Sequence, residues 1–101
     1  MLILELPDKP RFPLGRVFAT PRALAALGAD DAARNDNLSR VLARHATGDW
    51  GEVGEEDSRA NEQALRQGTR LLSAYIVEGQ KLWIITEGDR SATTALLPEE
   101  Y

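Results

Sequence analysis

The chain is expected to be a single α+β domain, with short helices laid on an antiparallel β-meander contributed mainly by its last third. Three observations lead there. The C-terminal stretches "TRLLSAYIV", "KLWIITE" and "SATTALL" are β-branched and aromatic and are separated only by the turn-formers "EGQ" and "GDR". The middle of the chain spaces its apolar residues at helical intervals and brackets them with capping residues. A length of 101 residues with 43 % hydrophobic content supplies one core, so residues 1–101 are read as one domain.

Taken in order, "LILEL" (2–6) is a short β-prone run closed by Pro7, and "PDKPRFP" holds three of the five prolines, as an extended connector would. "GRVFAT" (15–20) is again β-prone. "TPRALAALG" then spells a short helix, with Thr20 as N-cap, Pro21 at the first helical position and Gly28 just past the end. "ADDAARNDN" reads as a polar connector in which Asp36 or Asn37 caps the next helix. That helix, "NLSRVLARHA", places Leu38, Val41, Leu42 and His45 on one face and turns Arg40 and Arg44 outward, with Gly48 as terminator. A third helix, "EEDSRANEQALRQG", is expected to start at an Asp57 cap and stop at Gly68. Its apolar face is thin: Ala60, Ala64 and Leu65. In the middle strand of the meander Leu82, Ile84 and Thr86 share one face and Trp83 and Ile85 the other. Both faces being apolar, the strand should be central and covered on both sides.

Composition excludes more than it assigns. There is no cysteine, hence no disulfide, no thiolate nucleophile and no Cys-type zinc site. No apolar run reaches the roughly 18 residues needed to cross a bilayer. The N-terminus lacks a basic region and cleavage site, so a cytoplasmic protein without membrane contact is expected. Twelve basic against sixteen acidic residues give a net charge of −4, which disfavours coating of duplex phosphates. No G-x-G-x-x-G, P-loop or G-x-S-x-G occurs, and no cofactor or metal is expected.

Two polar clusters remain. "ARHATGDWGE" (43–52) holds His45, the only histidine, beside Asp49 and Trp50. The favoured reading is a helix stop, with His45 half-buried at the negative end of the helix and Trp50 plugging the core edge. The sharper reading makes His45 a general acid or base oriented by Asp49. "TEGDRSATT" gathers Thr86, Glu87, Asp89, Arg90, Ser91, Thr93 and Thr94. It is either a charged hairpin turn or a rim of donors around an anion, clamped by Arg70 and Arg90.

The stretches "HATGDWGE", "LLSAY" and "WIITEGDRSATTALLPEEY", joined by "FPLGRVFATPRAL", resemble a family of small bacterial proteins, often plasmid- or phage-borne. Its motifs are H-x-x-G-D-W-G and I-T-E-x-D-R-S-x-T-T-x-L-L-P-E-x-Y. Some relatives carry the label of a type I restriction modification subunit. That chemistry needs a far larger cofactor-binding domain and an N-P-P-F-type motif, both missing here. The resemblance implies a setting on mobile genetic elements and carries no activity with it. The acidic charge and the lack of a recognisable catalytic set make the expected function that of an accessory protein that binds a host or defence-system protein, with Asp49, Trp50, Asp89 and Arg90 as binding residues. The acidic stretch Glu52–Asp57 would offer a charged surface for such a partner. The layout also resembles barnase–colicin–RelE-type ribonuclease toxins, which implies RNA as substrate and His45, Arg70, Tyr75 and Thr94 as the catalytic set. A third reading pairs the apolar "KLWIITE" strands of two copies into a homodimer.

Overall fold

A computed structural model describes residues 9–101. The β-prone run 2–6 lies outside the described residues. The fold is α+β, with element order β1 (Arg16–Ala19), α1 (Pro21–Leu27), α2 (Asp31–Ala46), α3 (Glu55–Gln67), β2 (Leu71–Val77), β3 (Gln80–Thr86) and β4 (Ala92–Leu96). A short 3₁₀ turn, Pro98–Glu100, follows. No helix among the described residues is long and apolar enough to cross a membrane.

The expected meander forms: β2, β3 and β4 pair antiparallel in sequence order. Its first turn is Glu78-Gly79, both with positive φ (50° and 75°), the backbone that matches strand twist in two-residue hairpins. The N-terminal strand adds a feature that strand propensity alone does not reveal. β1 joins in parallel beside β4, so the sheet is mixed, with order β1-β4-β3-β2. β3 is therefore an inner strand, and "KLWIITE" has no free edge with which to pair a second copy.

Helix boundaries follow capping chemistry. The Thr20 hydroxyl accepts from the Ala23 N–H at 3.0 Å, as expected. α2 begins well before the expected Asp36 or Asn37, because Asp30 caps it through the Ala33 N–H at 2.8 Å. The polar stretch that looked like a connector is two helical turns, tied by Arg40 to Asp36 at 2.9 Å. Asn37, freed from capping, donates to the Leu27 carbonyl at 2.6 Å and binds α1 to α2. α3 is capped by Gly54 and not by Asp57. Glu55, Glu56 and Asp57 fill its first turn, where the positive end of the helix favours them. Its end at Gly68, in the left-handed region at φ 72°, is as expected.

The core occupies one side of the sheet. Side chains alternate along a strand, so the pairing register puts Leu71, Ser73, Tyr75 and Val77 on the same face as Leu82, Ile84, Thr86, Thr93 and Ala95. Ala23, Ala26 and Leu27 of α1 and Val41 and Leu42 of α2 pack against this face. Phe12, Trp50, Ala64 and Leu71 form a second cluster at the α3 end. Neither cluster draws on the opposite face, so β3 is not covered alike on both sides. There Ala74, Ile85 and Leu96 are buried, and half-buried Trp83 packs against the ring of Tyr101, from the C-terminal turn, with centroids 5.6 Å apart.

Of the α3 residues expected to face inward, Ala64 is buried, Leu65 half-buried and Ala60 exposed. Asn61 does what the thin apolar face could not. Its side-chain oxygen accepts from the Leu72 N–H at 3.0 Å, and its amide donates to the Leu72 carbonyl at 2.7 Å. A side-chain amide thus stands in for a neighbouring strand. Asn61→Ala leaves both backbone groups without that partner, at an expected cost of about 2 kcal/mol. Asn61→Asp, which keeps the acceptor, should fall between. Urea midpoints of the three proteins measure it, and equal midpoints would show that water serves the edge as well.

Candidate functional site

His45 is reached by building outward from the two motifs. α2 carries it on the sheet-facing side in its last turn, directly over β2 and β3. Its relative exposure is 0 %, so the expected half-buried position is a fully enclosed one. Nδ1 lies 2.5 Å from the Ser73 hydroxyl, and Nε2 lies 2.8 Å from the Thr86 hydroxyl. The Thr86 hydroxyl is 2.7 Å from that of Thr93, which donates to the Leu14 carbonyl at 2.7 Å.

That last contact fixes every proton in the chain. A carbonyl can only accept, so Thr93 spends its hydrogen on Leu14 and must accept from Thr86. Thr86, having donated, accepts from His45. The histidine is therefore the neutral Nε2–H tautomer, and Nδ1 accepts from Ser73. Burial, reinforced by the charge of Arg90, pushes its pKa down from 6.5 to about 3. Phe12 and Trp50 close the ring edges, with centroids 5.1 and 5.8 Å away. No buried side-chain nitrogen or oxygen among the described residues lacks a partner.

The remaining motif residues secure this arrangement. Asp49 takes a two-pronged ion pair from Arg44 at 2.7 and 3.2 Å, which holds its carboxyl below the usual range. Its side chain bonds Arg44 and the Gly51 N–H, and makes no contact with His45. Trp50 packs on Phe12 and donates its indole N–H to Glu62 at 3.1 Å. Arg90 turns inward at φ 62° and donates to the carbonyls of Thr69, Ala64 and Glu87 at 2.6, 3.0 and 3.2 Å. It closes the C-terminal end of α3, where carbonyls lack helical partners. Asp89 accepts from the Ser91 N–H and hydroxyl at 3.0 and 2.6 Å, in a local turn.

The expected catalytic four are not brought together. His45 and Tyr75 lie on the helix-covered face. Tyr75 is buried and donates its hydroxyl to the Asp49 carbonyl at 2.6 Å, and burial holds its phenol above the ordinary range. Thr94 lies on the other face, opposite Ile85. Arg70 stands just before β2 and reaches outward to the Tyr101 hydroxyl at 2.6 Å and to Glu87 at 3.3 Å. Arg70 is engaged by the Glu87 carboxylate and the Tyr101 hydroxyl, and Arg90 by the backbone carbonyls of Thr69, Ala64 and Glu87. The two guanidinium groups are thus held by internal acceptors and do not form the expected anion clamp. Among the described residues no three His, Asp or Glu side chains gather as a cation site requires. One groove, of about 250 Å³, runs between α2 and the β2–β3 hairpin, lined by Arg40, Arg44, Ile76 and Glu78 among others. His45 does not open into it.

Ser73 and Thr86 were not read from the sequence as partners of His45, nor Thr93 as the next hydroxyl beyond Thr86. The available signal was a hydroxyl in a strand position that alternation assigns to the core, as Ser73 is between Leu71 and Tyr75. Such a residue needs a buried partner. No family model, curated protein or solved structure matches the chain.

Proposed function

We propose that this chain is a protein-interaction module that works in the cytoplasm as an accessory of mobile genetic elements, binding a host or defence-system protein without catalysing a reaction. The setting rests on the motif resemblance. The mode of action rests on one observation, the composition of the helix-free sheet face.

By register that face carries Arg16, Phe18, Leu72, Ala74, Ile76, Lys81, Trp83, Ile85, Ala92, Thr94 and Leu96. The strand residues there include two cations and no carboxylate, in a chain with a net charge of −4. Ala74, Ile85 and Leu96 are buried within it, and the apolar surface it leaves open is that of Ile76, 54 % exposed, and Phe18, with half-buried Leu72 and Trp83. An apolar centre with a basic rim fits a protein surface with an apolar centre and an acidic rim. The acidic stretch Glu52–Asp57 supports this role less, because Glu55, Glu56 and Asp57 serve the end of α3. The ribonuclease reading loses support from the sealed, neutral histidine, which has no route to a phosphodiester.

Capture from lysate of a bacterial host, followed by direct binding of the recovered protein, tests the proposal. Lys81→Glu and Ile76→Glu should each weaken that binding at least tenfold, while Glu56→Lys on α3 should leave it unchanged. Binding indifferent to both sheet-face changes would overturn the proposal. So would RNA cleavage by the native protein that His45→Ala abolishes.

A further inference from the structure

The two edges of the sheet are treated differently. Along the first part of β2 the outward backbone groups are occupied: Asn61 serves Leu72, and Ala74 exchanges bonds with the passing chain, while Ile76 has no such partner among the described residues. The Ala74 N–H donates to the Trp50 carbonyl at 3.1 Å, and the Glu52 N–H donates to the Ala74 carbonyl at 2.6 Å. β1, at the other edge, has no such cover among the described residues. Its Arg16 N–H reaches the Ser91 carbonyl at 3.0 Å and the Thr20 N–H reaches that of Ala95 at 3.1 Å. Residues 16, 18 and 20 therefore turn their backbone toward β4, and Val17 and Ala19 turn theirs outward. Val17 is 43 % exposed and Phe18 46 % exposed, one on each face. The strand is short, at four residues, and carries Arg16, but it holds no proline, lysine or bulge to keep a second strand off the edge.

We infer that two copies of this chain join edge to edge through β1, antiparallel and centred on Phe18, to give one continuous eight-stranded sheet. The register follows from the backbone. A twofold axis normal to the sheet keeps like faces together, so it must pass through a residue position. Centred on Phe18, it sets Val17 of each copy opposite Ala19 of the other, and these outward-facing residues exchange four main-chain hydrogen bonds. Phe18 then meets its own counterpart as a non-hydrogen-bonded pair, the closer of the two antiparallel spacings and the one suited to an aromatic pair.

Charge agrees with this register. Arg16, whose guanidinium stands 5.6 Å from its own Phe18 ring, falls opposite Thr20 of the second copy. The Thr20 hydroxyl donates to the Glu100 carboxylate at 2.8 Å, so each arginine faces a carboxylate held in place. The contact is short for a stable interface, so association in the micromolar range is expected. The inference concerns the sheet edge and stands whether or not the open face binds another protein.

The native chain has no cysteine, which makes the test clean. At about 100 μM, sedimentation should give a dimer that dissociates on dilution. Phe18→Cys should form a covalent dimer under mild oxidation at least tenfold faster than Arg16→Cys. In this register the two Phe18 Cβ atoms are within bonding reach, and the two Arg16 positions lie about 13 Å apart. Val17→Lys, with an unchanged circular dichroism spectrum, should weaken dimerisation at least tenfold. A monomer at that concentration overturns the inference, as does equal cross-linking at the two positions or a dimer that Val17→Lys leaves intact. Val17 and Ala19 amides protected from exchange in a monomer would instead place another stretch of the same chain on the edge.

Discussion

Replacing Gly51 by alanine is expected to remove about 4 kcal/mol of stability, while the same change at Gly79 should cost only about 1 kcal/mol. Both glycines lie in the left-handed region, at φ 73° and 75°. What differs is their surroundings. A Cβ on Gly51 would lie 2.0 Å from the Ala74 carbonyl oxygen and 2.7 Å from the Tyr75 ring, while nothing lies within 4 Å of one on Gly79. The backbone strain is thus common to both, about 1 kcal/mol for an alanine held at positive φ. At Gly51 relief requires moving the chain off β2, which breaks the two hydrogen bonds to Ala74, each contributing about 1 kcal/mol. The residual crowding against Tyr75 adds a similar amount. For a domain of this size that corresponds to a fall in Tm of roughly 20 °C. Thermal and urea unfolding of the two variants decide it. Equal losses would mean that the chain at Gly51 gives way freely.

This comparison also accounts for the H-x-x-G-D-W-G motif without chemistry on a substrate. His45 enters the hydroxyl chain, Gly48 follows the end of α2 at φ 87°, Asp49 holds Arg44, Trp50 plugs the second cluster and Gly51 lets the backbone lie against β2. The other motif supplies Thr86 and Thr93 to the same hydroxyl chain and Arg90 to the end of α3. Residues 41 positions apart in sequence meet at the bond from His45 to Thr86. The motifs on which the family resemblance rests are, in this chain, two halves of one internal joint.

The helices and the meander were legible because their signals are local. Thr20-Pro21, the Leu38–Val41–Leu42–His45 stripe and the Glu78-Gly79 turn each act within a few residues. What the sequence did not disclose depends on contacts between distant segments. The parallel pairing of β1 with β4 joins residues more than seventy positions apart and leaves no period of its own. The early start of α2 was hidden because Asp30, Asp31, Arg34 and Asp36 look like a solvated loop until Asp30 is seen to cap and Arg40 to pair. The inward turn of Arg90 was equally obscure, since a charged residue in a turn ordinarily points to water. His45 was recognised as facing the core, but its partners required knowing that β2 and β3 lie beneath it.

The single histidine should make the protein acid-sensitive at a pH above that at which the hydrogen-bonded carboxylates Asp49, Glu62, Asp89 and Glu100 lose their contributions. In the folded chain His45 stays neutral down to about pH 3, because protonation would place a charge in a dry site and force Nδ1 to donate toward a hydroxyl that already donates to it. Unfolded, it titrates near 6.5. Below that pH the unfolded state binds a proton that the native state refuses, so stability is complete above about 6.5 and falls as pH drops toward 3. Between pH 7 and pH 5 the expected loss is about 2 kcal/mol, at 1.36 kcal/mol for each unit below the unfolded pKa. Asp49, Glu62, Asp89 and Glu100 are all held below their ordinary values, so their contributions begin to fail only at lower pH. Urea unfolding at pH 7, 6 and 5 measures the slope, and His45→Gln should flatten it whatever its absolute stability. The ring itself offers a second readout: its proton and nitrogen resonances should not move between pH 8 and 5, and should report the Nε2–H form throughout. A ring that titrates near 6.5 in the folded protein would mean that water reaches it, and the case for a purely internal histidine would fall with that result.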